Sequence, residues 1–241
     1  MCFMNGLKRN TEKLFSHGGK LFAMAMDLPQ CGLVEGLEDP LALIREVKDT
    51  ELDALLVNVG VARLAQEELL HKKLLLRTSS GGTNLASAFT NVQKNHVSPE
   101  TALAMGADAV VMMMVIGGAD YASIQDAAAA IDAYHRLSIP VIVEILADDF
   151  SATQSFDIQA NGARVAAELG ADVVKAFIRK TLSRWWRIAL CPSYWREGLR
   201  AAISWIPPGW PWGPAPGASA SAGISSRARR SGSGSRPCPN C

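Results

Sequence analysis

Six short runs of almost unbroken apolar residues, separated by stretches with helical spacing, limit what this chain can fold into. They cover residues 21–26, 53–57, 73–77, 109–116, 140–146 and 172–177. Runs this short, rich in Val, Ile, Leu and Met, suit strands buried on both faces, as in a parallel sheet. The segments between them read as helices. Asp39-Pro40 opens one over 41–48, and Ser98-Pro99-Glu100 opens another over 101–105, with Pro near the first turn. Residues 123–137 place Ile124, Ala127, Ala128, Ile131 and His135 on one side, and 159–169 carry Ala163, Ala166, Ala167 and Leu169. Alternating strands and helices imply a parallel sheet with right-handed crossovers. A doubly wound sheet and a barrel both satisfy the pattern.

An internal near-repeat supports this reading. Met105-Gly106-Ala107-Asp108-Ala109-Val110-Val111 matches Leu169-Gly170-Ala171-Asp172-Val173-Val174. Gly after a helix fits a left-handed cap, and Asp then leads into a buried strand. No Gly-rich dinucleotide loop follows the first run, where Asp27-Leu28-Pro29-Gln30 stands instead, and no GxxxxGK[ST] occurs.

Composition adds one decisive fact, a break after Phe177. All eight Met precede it and all six Trp follow it. Residues 178–241 hold ten Lys and Arg against one acid, Glu197, whereas 1–177 carry a net charge of −8. The near-neutral total of +1 therefore joins two unlike pieces. The average composition excludes a wholly disordered chain, a collagen and a small disulfide scaffold. No apolar run reaches the ~18–20 residues of a membrane span. Lys8, Arg9, Lys13 and Lys20, with no long apolar stretch, argue against a secretory signal. Five scattered cysteines point to a reducing cytoplasm.

In β/α folds ligands bind at the carboxyl ends of the strands. The polar residues there are Asp27, Asn58, Arg77 with Thr78-Ser79-Ser80-Gly81-Gly82, Gly117-Gly118, Glu144 with Asp148 and Asp149, and Lys175. Lys175 interrupts an otherwise apolar strand, on the face it shares with Val173. A lysine facing a barrel interior is desolvated, which favours the neutral amine and makes a Schiff base with a carbonyl substrate accessible. A strand-end lysine whose head reaches water is the plainer alternative. Asp27 would orient a substrate hydroxyl, hold the lysine's charge, or simply cap a loop. Glu144 suits proton transfer or an ion pair with a neighbouring strand. Ser79-Ser80-Gly81-Gly82 offers backbone N–H groups to an anion, or makes a plain turn. Cys238-Pro239-Asn240-Cys241 has CxxC spacing but no second pair or nearby His, so no metal site is expected.

The ordered set Ala25-Met26-Asp27, Gly36-Leu37-Glu38-Asp39-Pro40, Leu76-Arg77-Thr78-Ser79-Ser80-Gly81-Gly82-Thr83, Gly106-Ala107-Asp108-Ala109-Val110 and Gly170-Ala171-Asp172-Val173-Val174-Lys175 resembles class I aldolases of the archaeal-type fructose-bisphosphate aldolase group. That group includes the autoinducer-2 aldolases and is related to deoxyribose-phosphate aldolase. The resemblance spans about residues 20–177. It implies a (β/α)8 TIM barrel, here truncated to about six β/α units, with the Schiff-base role on Lys175 and substrate contact by Asp27. It also implies a phosphorylated sugar or keto substrate and no metal or organic cofactor. Nucleic acid and membrane are not expected as partners, and a homo-oligomer of the full-length parent is left open. Arg77, Ser79, Ser80, Gly81 and Gly82 are the expected substrate-binding residues. The fructose-bisphosphate enzymes carry a proton-transferring tyrosine near the end of strand five. The matching stretch here is Glu144-Ile145-Leu146-Ala147, so the autoinducer-type subgroup fits better and Glu144 is the remaining candidate for proton transfer.

The resemblance also calls for two further strands, carrying Ala-Gly-Gly and Gly-Arg-Asn, that together bind the substrate phosphate. Neither is present in 178–241. Shifting the codons of this segment by one base allows both motifs to be read, in order and in one frame. A frameshifted, disordered tail is therefore expected, on a barrel whose open edges impair folding and activity. The alternative is a non-catalytic fragment whose basic, Trp-rich tail binds nucleic acid or membrane.

Overall fold

The computed structural model describes residues 5–15, 19–28, 32, 34–86, 93–177 and 200–203. Six parallel strands stand in chain order: β1 (Ala23–Ala25), β2 (Ala54–Asn58), β3 (Lys73–Arg77), β6 (Ala109–Ile116), β7 (Val141–Ala147) and β8 (Val173–Ala176). Two short strands, β4 (Ser79–Ser80) and β5 (Lys94–Asn95), pair antiparallel apart from this sheet. The six long strands are those the apolar runs predict, with ends shifted by two residues at most. The architecture is the truncated TIM-barrel fold. A further strand, β9 (Arg200–Ile203), pairs parallel with β8 and extends the sheet. It falls inside the segment read as a tail. The rest of 178–241, including Cys238 to Cys241, lies outside the described residues.

Five helices cover one face: α2 (Pro40–Val47), α3 (Val59–Leu64), α4 (Pro99–Ala104), α5 (Tyr121–Arg136) and α6 (Phe156–Glu168). Their starts follow the sequence signals. Asp39 accepts a hydrogen bond from the Ala42 N–H, Ser98 from Thr101 and Ser155 from Ile158. Gly106 and Gly170, with φ of 71° and 100°, end α4 and α6 in the left-handed conformation. The N–H of the next residue reaches back to Ala102 and to Ala166, closing the same terminal turn twice.

The opposite face carries helix α1 (Asn5–Leu14), which the sequence reading left without an element. Leu14 and Phe15 pack on Ala54, Leu56, Leu75, Ala109, Val111, Ile142 and Val173. These strand residues alternate with Leu55, Val57, Leu74, Leu76, Val110 and Val174, which belong to the core under α2–α6. The two faces are thereby distinguished. Among the described residues, one is covered by helices along its length, and the other by α1 over its amino-terminal half.

The aspartates of the near-repeat are structural. Asp108 donates its N–H to the Leu74 carbonyl and accepts the Leu74 N–H on Oδ2, at 2.9 and 2.8 Å. Asp172 does the same with Val141, at 3.0 and 2.9 Å, and Asp53 with Phe22, at 2.8 and 2.8 Å. Each two-bond clamp fixes where one strand begins against its neighbour, so side-chain alternation downstream has a defined register.

Helix α6 sits unusually close to the sheet at Gly162. A Cβ there would lie 2.4 Å from Ile145 Cγ2 and 2.9 Å from Ile116 Cγ1. Both are near-backbone atoms of branched side chains, so little can yield. Gly162→Ala should destabilise the fold by about 1–3 kcal/mol, despite the ~1 kcal/mol that alanine gains in helix propensity. Urea denaturation reads this directly, and a variant as stable as the parent would show that the helix can lift away.

Candidate active site

Strand alternation continues the α1 face toward the carboxyl ends of the strands. Arg77, Met113, Glu144 and Lys175 have the same parity as Leu75, Val111, Ile142 and Val173, so above the apolar layer the face turns polar. Register brings Glu144 opposite Lys175 on β8 and opposite Met113 on β6. Asp27 follows β1 and is 3% exposed, while Arg77 and Glu144 are 2% and 3% exposed.

The charges form one chain. Arg77 Nε donates to Asp27 Oδ2 at 2.5 Å, and Arg77 Nη2 pairs with both Asp27 Oδ2 and Glu144 Oε2. Lys175 Nζ donates to Glu144 Oε1 at 2.5 Å. Acid and base thus alternate from β1 through β3 and β7 to β8, and the four formal charges cancel. The Phe177 ring centroid lies 5.6 Å from Lys175 Nζ, within cation–π reach.

Burial alone pushes the Glu144 carboxyl up, but Lys175 and Arg77, by charge and hydrogen bond, outweigh it and hold it well below the usual carboxylate range. Burial likewise works against the Arg77 guanidinium, and Asp27 and Glu144 overcome it. Asp27 Oδ1 and Arg77 Nη1 are buried and have no hydrogen-bond partner among the described residues. They are the acceptor and the donor of this network that retain capacity to bond a polar group or water.

The expected site residues divide into two groups. Lys175, Glu144, Asp27 and Arg77 come together. Asp27 pairs with Arg77, where the sequence reading offered the lysine as its charged partner. Arg77 is committed through Nε and Nη2 to the two carboxylates, leaving only Nη1 for a ligand. Ser79 is fully buried and its hydroxyl accepts the Met113 N–H at 2.8 Å, tying β4 to β6. Ser80 is exposed, 3.2 Å from His96 Nδ1. Gly81 is exposed and Gly82 half-buried, ahead of residues 87–92, which lie outside the description. Gly117 and Gly118, with φ of 94° and 57°, pack against the Asp148 carboxylate, and a Cβ on Gly118 would meet Asp148 Oδ2 at 2.0 Å. Among the described residues, no group of three or more His, Cys, Asp or Glu is placed to hold a metal, and no helix is long and apolar enough to cross a membrane.

The sequence reading missed Gln159 and the placement of Phe177. Gln159 is a polar residue in the buried helical spacing of Ala163, Ala166 and Ala167, which was the available signal.

A profile of the DeoC/LacD family aldolases matches residues 16–182. The chain belongs to this family. A curated relative from Archaeoglobus fulgidus, 2-amino-3,7-dideoxy-D-threo-hept-6-ulosonate synthase 1, is 28% identical over 176 residues, 73% of this chain. The chain spans 66% of that relative's length. A crystal structure of an archaeal fructose 1,6-bisphosphate aldolase superposes with a TM-score of 0.68 at 22% identity, over 84% of this chain and 81% of the other. A second structure of such an enzyme, with its catalytic Lys covalently bound to the carbinolamine intermediate of the substrate, superposes at 0.67 with the same identity and coverage. These structural likenesses show that the DeoC/LacD barrel is the fold here.

Proposed function

We propose that this chain carries the site of a class I aldolase, with Lys175 as the Schiff-base lysine and a phosphorylated sugar or keto compound as substrate. The observation that supports it is the largely buried Lys175 amine, on β8 of a DeoC/LacD barrel, held by Glu144 at 2.5 Å. Lys175 Nζ attacks the substrate carbonyl carbon, and the carbinolamine loses water to give an iminium. The iminium accepts the electron pair of the C–C bond that breaks, leaving an enamine, while the hydroxyl on the departing carbon gives its proton to water and becomes the aldehyde carbonyl. Protonation of the enamine and hydrolysis of the imine then release the second product and restore Lys175. Addition runs the same steps in reverse. The amine must first release a proton. Glu144 Oε1, 2.5 Å from the amine, aims it and is the group placed to take that proton. Asp27 Oδ1 and Arg77 Nη1 are the atoms open to a polar group of the substrate.

The test is reductive trapping. Incubation of the full chain with dihydroxyacetone phosphate and borohydride should leave a mass adduct on the peptide carrying Lys175. Absence of any adduct with this ketone, and with unphosphorylated hydroxyacetone, overturns the proposal. The segment after Phe177 bears on turnover more than on imine formation, since the resemblance places the phosphate-holding strands there. A one-base repair of the reading frame between the codons for residues 175 and 180 should raise kcat/KM for the phosphorylated substrate, and equal values would sink the frameshift reading.

A further inference from the structure

Gln159 is buried on α6, on the helix-covered side of the sheet, and it makes three hydrogen bonds to backbone. Its Nε2 donates to the Ile145 carbonyl at 3.1 Å and to the Thr153 carbonyl at 2.6 Å. Its Oε1 accepts the Phe177 N–H at 3.0 Å. Ile145 is the residue after Glu144, and Phe177 lies two residues beyond Lys175. The paired register of β7 and β8 runs from Ile142 opposite Val173 to Glu144 opposite Lys175. Just past that last pair, one side-chain amide spans both strands. The Thr153 hydroxyl, in turn, accepts the Ala147 N–H at 3.0 Å, so the end of β7 is held from the same side.

We infer that Gln159 is a positioning residue. It fixes the ends of β7 and β8 relative to each other, and so sets where the Lys175 amine stands against Glu144 and the Phe177 ring. This rests on the Schiff-base reading for its catalytic meaning, although the geometry it describes does not. The physical argument is one of leverage. Lys175 reaches Glu144 along a flexible four-carbon stem, and such a stem selects one geometry only if the two backbones cannot slide. Hydrogen bonds to three separated backbone segments supply that restraint from outside the site, with no Gln159 atom in contact with Lys175 among the described hydrogen bonds. A residue that merely filled the core would not need its amide oriented toward one donor and two acceptors.

The test compares Gln159→Met, which keeps the volume and loses the amide, with Tyr134→Phe. Tyr134 is also buried under the helices; its hydroxyl donates to the Val97 carbonyl at 2.5 Å and also meets Thr78, and it makes no described hydrogen bond to β7 or β8. Two readouts apply to the full-length protein. The first is the acetylation rate of Lys175 relative to Lys73 at one pH, read by peptide mass with acetic anhydride as the probe. In Gln159→Met the ratio should rise about fivefold or more, as the Glu144 contact slackens, with no change in Tyr134→Phe. The second is the saturation behaviour of borohydride trapping with dihydroxyacetone phosphate. The maximal trapping rate should fall about tenfold while the half-saturating concentration stays within about twofold. An acetylation ratio equal to the parent's in Gln159→Met overturns the inference, even if the variant melts lower. If the parent itself gives no imine, the Schiff-base proposal falls alone, because the acetylation comparison still decides whether Gln159 positions Lys175.

Discussion

Lys175→Met should abolish the borohydride-trapped adduct and lower any carbon–carbon lyase turnover on the order of 10⁴-fold or more, with only a modest loss of stability. The two halves of that expectation have separate causes. Chemically, no neighbour can replace the amine. Arg77, the other cation of the chain, is held by two carboxylates and stays charged. Structurally, the loss is tolerable because Glu144 keeps its contact with Arg77 Nη2 when Lys175 is gone. Methionine also retains most of the aliphatic stem. Peptide mass after trapping checks the first part and thermal denaturation the second. An adduct that persists in Lys175→Met would move the nucleophile to another lysine. A collapse of the fold would make Lys175 chiefly a structural cation.

The strands were legible because burial on both faces leaves nearly unbroken apolar runs, and β2, β3, β6, β7 and β8 all have that environment. Helix α1 escaped because its buried set is only Leu7, Thr11 and Leu14, spaced along an otherwise charged and polar stretch. Its role, plugging the amino-terminal end of the inner face, depends on long-range contacts that no local pattern reports. Lys175 was legible because a cation inside an apolar strand is out of place wherever the strand sits. Arg77 was read as a ligand-binding residue because a Ser- and Gly-rich stretch follows it. Its pairing with Asp27 and Glu144 depends on register across strands, and alternation within one strand cannot supply that. The three Asp clamps set this register, and one of them, Asp53, lies outside the near-repeat that drew attention to the other two. Ser79 was legible only as part of a Gly-rich stretch offering backbone N–H groups; that its hydroxyl accepts the Met113 N–H and ties β4 to β6 depends on contacts across strands.

Arg77→Met is expected to have the largest effect on the fold itself, about 3–5 kcal/mol, because it strips the cation from two buried carboxylates at once. Asp27 would lose its only described ion-pair partner, and Glu144 would keep Lys175 alone. Arg77→Lys should rescue little, since one ammonium cannot reproduce the Nε and Nη2 contacts made by a planar guanidinium. The cost belongs to uncompensated charge rather than to lost volume, and this is separable. Adding Asp27→Asn to Arg77→Met should recover much of the stability, since Glu144 keeps Lys175 and no unpaired charge remains buried. The same logic fixes the acid limb. The Glu144 value is depressed in the fold, so its contribution is fully present above the ordinary carboxylate range, near 4.5, and is lost as the pH falls through the depressed value. The parent should therefore lose stability on acidification more steeply than Glu144→Gln does. Urea midpoints for Arg77→Met, for Arg77→Met with Asp27→Asn, and for Glu144→Gln between pH 7 and acid measure all of this together. An Arg77→Met midpoint close to the parent's, or a double variant no better than the single one, would mean that water rather than Arg77 balances these carboxylates.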